Sequence, residues 1–137
     1  MKLALALPAL AAVLVAGCGG KSDKAQVTDT VQSYIDGLGS KDGKKVCDQL
    51  AGSVQSQVKS RASTKDCATA INRFESSNTG RAVAPSFKTA KINEVNVKGS
   101  TASATLSLQV PGSGATPTTI PLEKQGGSWK ITSPAGG

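Results

Sequence analysis

The chain contains no histidine among its 137 residues. Without imidazole, the commonest general acid and base near neutral pH and the commonest metal ligand are both missing. Cysteine is scarce as well: Cys18, Cys47 and Cys67 are the full set. Two or three such residues with no histidine beside them do not make a zinc site, so neither metal nor cofactor is expected. Aromatics are limited to one Trp, one Tyr and two Phe. That is too few to interleave with basic residues into a nucleic-acid surface, and nucleic acid is not an expected partner. Gly99, Gly126 and Gly127 sit at turn positions and lack the spacing of a phosphate-cradling loop. Acidic residues number 9 against 16 lysines and arginines, a formal charge of +7, and none falls between Asp48 and Asp66. The longest apolar run, Leu3 to Ala16, is short of the roughly 20 residues that a membrane-crossing helix needs.

That run has a meaning of its own. Met1-Lys2 gives a positive start, Leu3 to Ala16 an apolar core broken only by Pro8, and Gly17-Cys18 a small residue followed by a thiol. This is the layout of a secretory leader, and Val15-Ala16-Gly17-Cys18 resembles a lipobox. The expectation is cleavage between Gly17 and Cys18, with residues 1–17 removed as a signal peptide. The Cys18 thioether would then carry diacylglycerol, and its new amine a further acyl group such as palmitate. Cutting at Ala16 to give a plain secreted protein is the alternative. Two or more acyl chains anchor a protein stably where one does not. The expected location is therefore the cell membrane, lipid-anchored on its extracytoplasmic face, with the bilayer as partner through diacylglyceryl-Cys18. Residues 18–23 form a short lipidated tether, 24–132 one folded domain and 133–137 a frayed tail.

The mature chain would keep 120 residues and a net charge of +6, because Lys2 leaves with the leader. Its large apolar residues are few for a domain of this size, so a covalent tie would help. In an exported chain Cys47 and Cys67 read as a structural disulfide. A metal site and a reactive thiol are the other readings.

Val27, Val31, Tyr34, Ile35 and Leu38 keep a 3.6-residue period and predict a first helix. Asp23 and Gln26 would form its capping box, and Gly37 and Gly39 would end it. A second helix carries Val46, Cys47 and Leu50 inward. A bend at Gly52-Ser53 leads to a short third, and Ser63 or Thr64 caps a fourth with Cys67, Ala70, Ile71 and Phe74 on one face. Ser76 to Pro85 reads as a loop. The period then becomes two. Phe87 to Val97 predicts a strand with a bulge near Asn93-Glu94, Ala102 to Val110 the clearest strand, and Thr118 to Leu122 a strand limited by Pro121. A last strand holds Trp129 and Ile131. Helices first and strands afterwards predict an α+β fold, with N-terminal helices packed on a curved antiparallel four-stranded sheet.

Two stretches, Val31 to Gly43 and Gly126-Gly127-Ser128-Trp129-Lys130-Ile131, resemble the first helix and turn and the final hairpin of the NTF2-like (SnoaL-like, ketosteroid-isomerase-like) superfamily. The helix-rich half with two spaced cysteines, followed by Gly99 to Ala104, is similar to small exported actinobacterial lipoproteins. The resemblance covers most of residues 24–132 and implies a cone with a pocket open at one end. It places Tyr34 where the isomerases keep an oxyanion-hole tyrosine. The carboxylate base those enzymes need has no counterpart in Ser53 to Gln57, and an Asp-Arg-Asp set for epoxide opening is absent. Tyr34, Phe74, Phe87 and Trp129 are the candidate pocket lining, each with a core role as its alternative. Asp48, Glu94 and Glu123 are isolated acids. The lysines and arginines read as solvated surface or as attraction to anionic lipid or a wall polymer. The expected function is a non-catalytic binding or interaction module for a small apolar ligand or a protein partner still to be identified. A structural envelope accessory is the alternative, and an isomerase or dehydratase a third reading.

Overall fold

The structure, a computed structural model, describes residues 20–134. The leader, Gly17 and Cys18 lie outside the described residues, as does most of the tail. Five helices precede four strands: α1 Asp23–Ser40, α2 Gly43–Gln49, α3 Gly52–Arg61, α4 Cys67–Ser76, α5 Asn78–Lys88, β1 Lys91–Lys98, β2 Thr101–Val110, β3 Gly114–Gln125 and β4 Ser128–Ile131. The strands form one open antiparallel sheet in the order β1-β2-β3-β4, and the helices cover one face of it. This is the expected α+β architecture.

The core lies between α1 and the sheet. Val27, Val31 and Ile35 from α1 meet Leu106 of β2, Ile120 and Leu122 of β3, and Ile131 of β4, all with almost no exposed surface. Alternation along β2 puts Ala104, Leu106 and Leu108 inward and Ser103, Thr105 and Ser107 on the opposite side, as a half-buried strand requires. The β1 bulge is present, with the register to β2 shifting between Ile92 and Glu94.

Several local expectations are corrected. Ser22, not Asp23, caps α1: its Oγ accepts from Ala25 N at 3.2 Å, while Gln26 Nε2 donates to Lys21 O. Asp66 rather than Ser63 or Thr64 caps α4, accepting from Thr69 N at 2.6 Å. That bond to the ionised carboxylate holds the Asp66 pKa below its usual value. Gly37 does not end α1. A Cβ there would come within 2.8 Å of Val46 Cγ2, so the glycine lets α2 approach.

The largest correction is α5, which occupies the stretch expected to be a loop and takes Phe87 out of β1. Gly80 and Pro85 looked like breakers but each has another role. Ser77 Oγ accepts from Gly80 N at 3.1 Å and starts the helix. A Cβ on Gly80 would lie 2.0 Å from Phe74 O and 2.7 Å from Glu75 Cα, so the glycine marks where α4 and α5 touch backbone to backbone. Pro85 sits on the solvent side, within the helix. Gly80→Ala is therefore expected to lower the thermal midpoint, with overpacking costing about 1–3 kcal/mol or more. A melt indistinguishable from the parent would refute the close-approach reading.

β3 also starts earlier than its pattern suggested, at Gly114. Pro117 and Pro121 pair with Ser107 and Ser103 of β2, while β4 covers only Leu122 to Gln125. Before Leu122 the far edge of β3 pairs with no strand, so a residue lacking an N–H does no harm there.

Candidate functional site: a helix–sheet cavity

A cavity of about 430 Å³ lies between the helices and the far end of the sheet, within the size range of small-molecule sites. Its floor is Tyr34 and Leu38 of α1 with Val46 and Leu50 at α2. Ile71 and Phe74 of α4 and Val83 and Phe87 of α5 form one wall. Leu108 and Val110 of β2 close the other side. The remaining lining residues, Thr79, Ser86 and Thr118, bring hydroxyls, and no lining residue is charged.

Helical spacing explains the wall. Thr79, Val83, Ser86 and Phe87 recur at steps of four, three and one along α5, one stripe of an amphipathic helix. Ile71 and Phe74 make the matching pair three residues apart on α4. Tyr34 is 3% exposed, with its ring in the cavity floor. Phe74, expected to point fully inward, is 45% exposed and sits at the mouth.

Three of the four proposed lining residues, Tyr34, Phe74 and Phe87, thus share one cavity. Trp129 does not. It is buried at the other end of α1, where its Nε1–H donates to Asp23 Oδ1 at 3.1 Å. Lys124 Nζ donates to the same oxygen at 2.7 Å and stands 5.8 Å from the indole centroid. These bonds hold the Asp23 carboxyl below its usual pKa, the Lys124 contact contributing most. The strand pattern correctly put Trp129 inside. It could not show that its indole N–H would be anchored by the first turn of α1, 106 residues away.

Cys47 and Cys67 are joined by a disulfide of 2.05 Å, tying α2 to the first residue of α4. Asp48 pairs with Lys44 at 2.8 Å, and Glu94 accepts from Asn96 Nδ2 at 3.1 Å. Neither these two acids nor Glu123 reaches the cavity lining. Among the described residues no three of His, Cys, Asp and Glu gather where they could hold a metal. None of the described helices is long and apolar enough to cross a membrane.

Sequence reasoning passed over Glu75. It is 2% exposed, directly follows Phe74 of the cavity wall, and neither carboxylate oxygen has a hydrogen-bond partner. Burial raises its pKa to about 7; the Asp42 carboxylate adds to the rise, and Lys41 opposes it. The missed signal was its spacing: Glu75 follows Ile71 by four residues and thus falls on the inward side of α4.

Residues 22–135 match the family described as "putative lumazine-binding". The chain belongs to that family. No curated protein matches it. Among solved structures, it is similar to a Campylobacter jejuni protein described as a "putative NTF2-like transpeptidase", at 14% identity and a TM-score of 0.51. The similarity covers 79% of this chain and 98% of that one. At such low identity the likeness concerns the fold, which is NTF2-like.

Proposed function

We propose that this protein is a lipid-anchored extracytoplasmic module that binds a small apolar molecule in the helix–sheet cavity and performs no chemistry on it. The observation that carries the binding half is the lining: a cavity of about 430 Å³ walled by aliphatic and aromatic side chains, with four hydroxyls and no charge. Such a surface gains from every apolar atom it removes from water, at about 25 cal/mol per Å². It offers little to a reacting centre. Ser86 is the one lining serine and is 5% exposed. No lysine or carboxylate lines the cavity to activate it or to move a proton beside Tyr34. The transpeptidase description of the structural neighbour therefore finds no nucleophile–base pair to attach to here.

The family description favours lumazine as a second ligand reading. A bicyclic dione presents several carbonyls and N–H groups, and each one left unpaired in the cavity costs about 1–3 kcal/mol. Four hydroxyls cannot pair all of them, so an apolar ligand ranks first. N-phenyl-1-naphthylamine, an uncharged apolar fluorophore, should bind saturably to the purified protein. Val83→Trp, which fills the cavity from its partly exposed wall, should reduce that binding at least tenfold. Lumazine should fail to displace the probe. No saturable fluorescence in the parent protein would end the binding proposal, and displacement by lumazine would promote the second reading.

The anchoring half rests on the lipobox-like sequence ending at Cys18 and on where the domain begins. α1 starts at Asp23, five residues beyond the cysteine, so the fold would sit close to the membrane surface. Tyr34 lies eleven residues further along α1, about 16 Å from that end at 1.5 Å per residue, which puts the cavity at the end remote from the anchor. Cys18→Ala is expected to move the protein from the membrane fraction to the medium. Unchanged membrane retention after the substitution would remove lipidation as the anchor.

A further inference from the structure

The cavity mouth is unusual for the surface of a basic protein. Among the described residues, the two large apolar side chains left exposed are Phe74, at 45%, and Val110, at 37%. Both line this cavity. They stand on opposite sides of it, Phe74 near the end of α4 and Val110 at the end of β2, where the β2–β3 hairpin turns. Isolated exposed apolar residues are ordinary; two that converge on the mouth of one apolar cavity mark a contact surface.

The sheet side of the mouth carries no charge. Gly99 to Leu122, covering all of β2 and most of β3, contains no charged residue, although the whole chain carries 25 of them. The hairpin tip, Pro111-Gly112-Ser113, projects freely: a Cβ added at Gly112 or Gly114 would meet nothing within 4 Å. The apolar lining thus continues past the mouth onto an uncharged lip rather than stopping at a polar rim.

An apolar ligand that fitted wholly inside would have no use for exposed apolar groups at the entrance. A ligand that emerges through the entrance would cover them. We infer that the cavity takes one unbranched aliphatic chain with an uncharged polar head, the chain passing between Phe74 and Val110 and the head resting outside against the β2–β3 hairpin tip. The inference rests on the apolar-cavity reading above and adds the shape and polarity of the ligand. An uncharged head suits a lip that offers Ser113, Thr116 and backbone amides, with no cation or anion between Gly99 and Leu122.

Displacement of N-phenyl-1-naphthylamine from the purified protein by 1-octanoyl-, 1-decanoyl- and 1-dodecanoylglycerol tests this. Affinity should rise by up to about fourfold per added methylene while the chain is still entering apolar surroundings. Phe74→Asp and Val110→Asp change exposed positions and leave the thermal midpoint nearly unchanged, yet each should weaken the dodecanoyl ester by tenfold or more. Equal affinity for the three esters would overturn the inference. So would failure of all three to displace a probe that itself binds, and that result would leave the apolar cavity standing with a different ligand. Unaltered dodecanoyl affinity in both aspartate variants would place the chain elsewhere and also overturn it.

Discussion

Glu75→Gln makes the protein more stable at pH 8 and leaves its stability almost unchanged at pH 4. The expected gain at the higher pH is about 3 kcal/mol, the free energy of moving a carboxyl pKa from 4.5 to about 7. The cause is the position of the carboxylate. Glu75 is 2% exposed and has no hydrogen-bond donor on either oxygen. Its charge has been taken out of water and given nothing in return. The nearby Asp42 carboxylate adds repulsion, and Lys41 offsets only part of it. Arg81, on the adjoining helix, is engaged with Asn78 Oδ1 at 2.8 Å.

The sign follows from proton counting. Because the folded-state pKa lies above the unfolded value, the folded chain holds a proton between about pH 4.5 and pH 7 that the unfolded chain has released. Stability therefore falls as pH rises through that window and stays low above it. Below pH 4.5 both states are protonated and the group contributes no pH-dependent term. Urea unfolding midpoints of parent and variant at pH 4, 6 and 8 would show the gap opening with pH. A variant that is less stable at pH 8, or a difference that does not change with pH, would contradict the assignment. Because Glu75 adjoins Phe74 at the cavity mouth, the α4–α5 corner is where this cost is felt.

The sequence made most of the architecture legible, since period and punctuation are local properties. The α1 stripe, the β2 alternation and the β1 bulge each follow from residues next to one another in the chain. What failed was the meaning of glycine and proline. Glycine reads as a stop in a helical pattern, yet Gly37 and Gly80 each leave room where another segment passes close by. That information resides in the partner: Val46 for the first, the Phe74 carbonyl for the second. Pro85 reads as a break as well, although on the solvent face of α5 a missing N–H can be tolerated.

The site was legible to the same degree. The resemblance implies a pocket beside Tyr34, and Phe74 and Phe87 do share its cavity, but Trp129 does not. Its burial was visible from alternation along β4, whereas its separation from the cavity depends on Asp23 and Lys124 meeting at the opposite end of α1. Val83, Ser86 and Thr79 join the cavity because their segment is a helix, which Gly80 and Pro85 conceal in the sequence. Glu75 escaped because an acid on a helix is normally solvated. In the fold it lies where α5 meets α4, its Cα 2.7 Å from where a Cβ on Gly80 would stand.

Removing the Cys47–Cys67 bond should cost about 3 kcal/mol, and it should impair the cavity before it unfolds the chain. The magnitude comes from closing a loop over a sequence separation of 20 residues, which restrains the unfolded ensemble. The effect on the cavity comes from where the bond is attached. Cys47 lies on α2 beside Val46, and Cys67 opens α4, the helix that carries Ile71 and Phe74. Beyond the disulfide, a polar tie between these helices is the bond from Gly43 N to Asn72 Oδ1 at 3.0 Å. A Cys47→Ser/Cys67→Ser chain should therefore melt at a clearly lower temperature and bind N-phenyl-1-naphthylamine more weakly even at temperatures where its far-ultraviolet circular dichroism matches the parent. The sheet, whose core contacts run to α1, should hold its signal longest. If the double variant keeps both its midpoint and its probe affinity, the staple supports neither the fold nor the site. If affinity falls only in step with unfolding, the bond stabilises the whole domain without a separate hold on the α2–α4 wall.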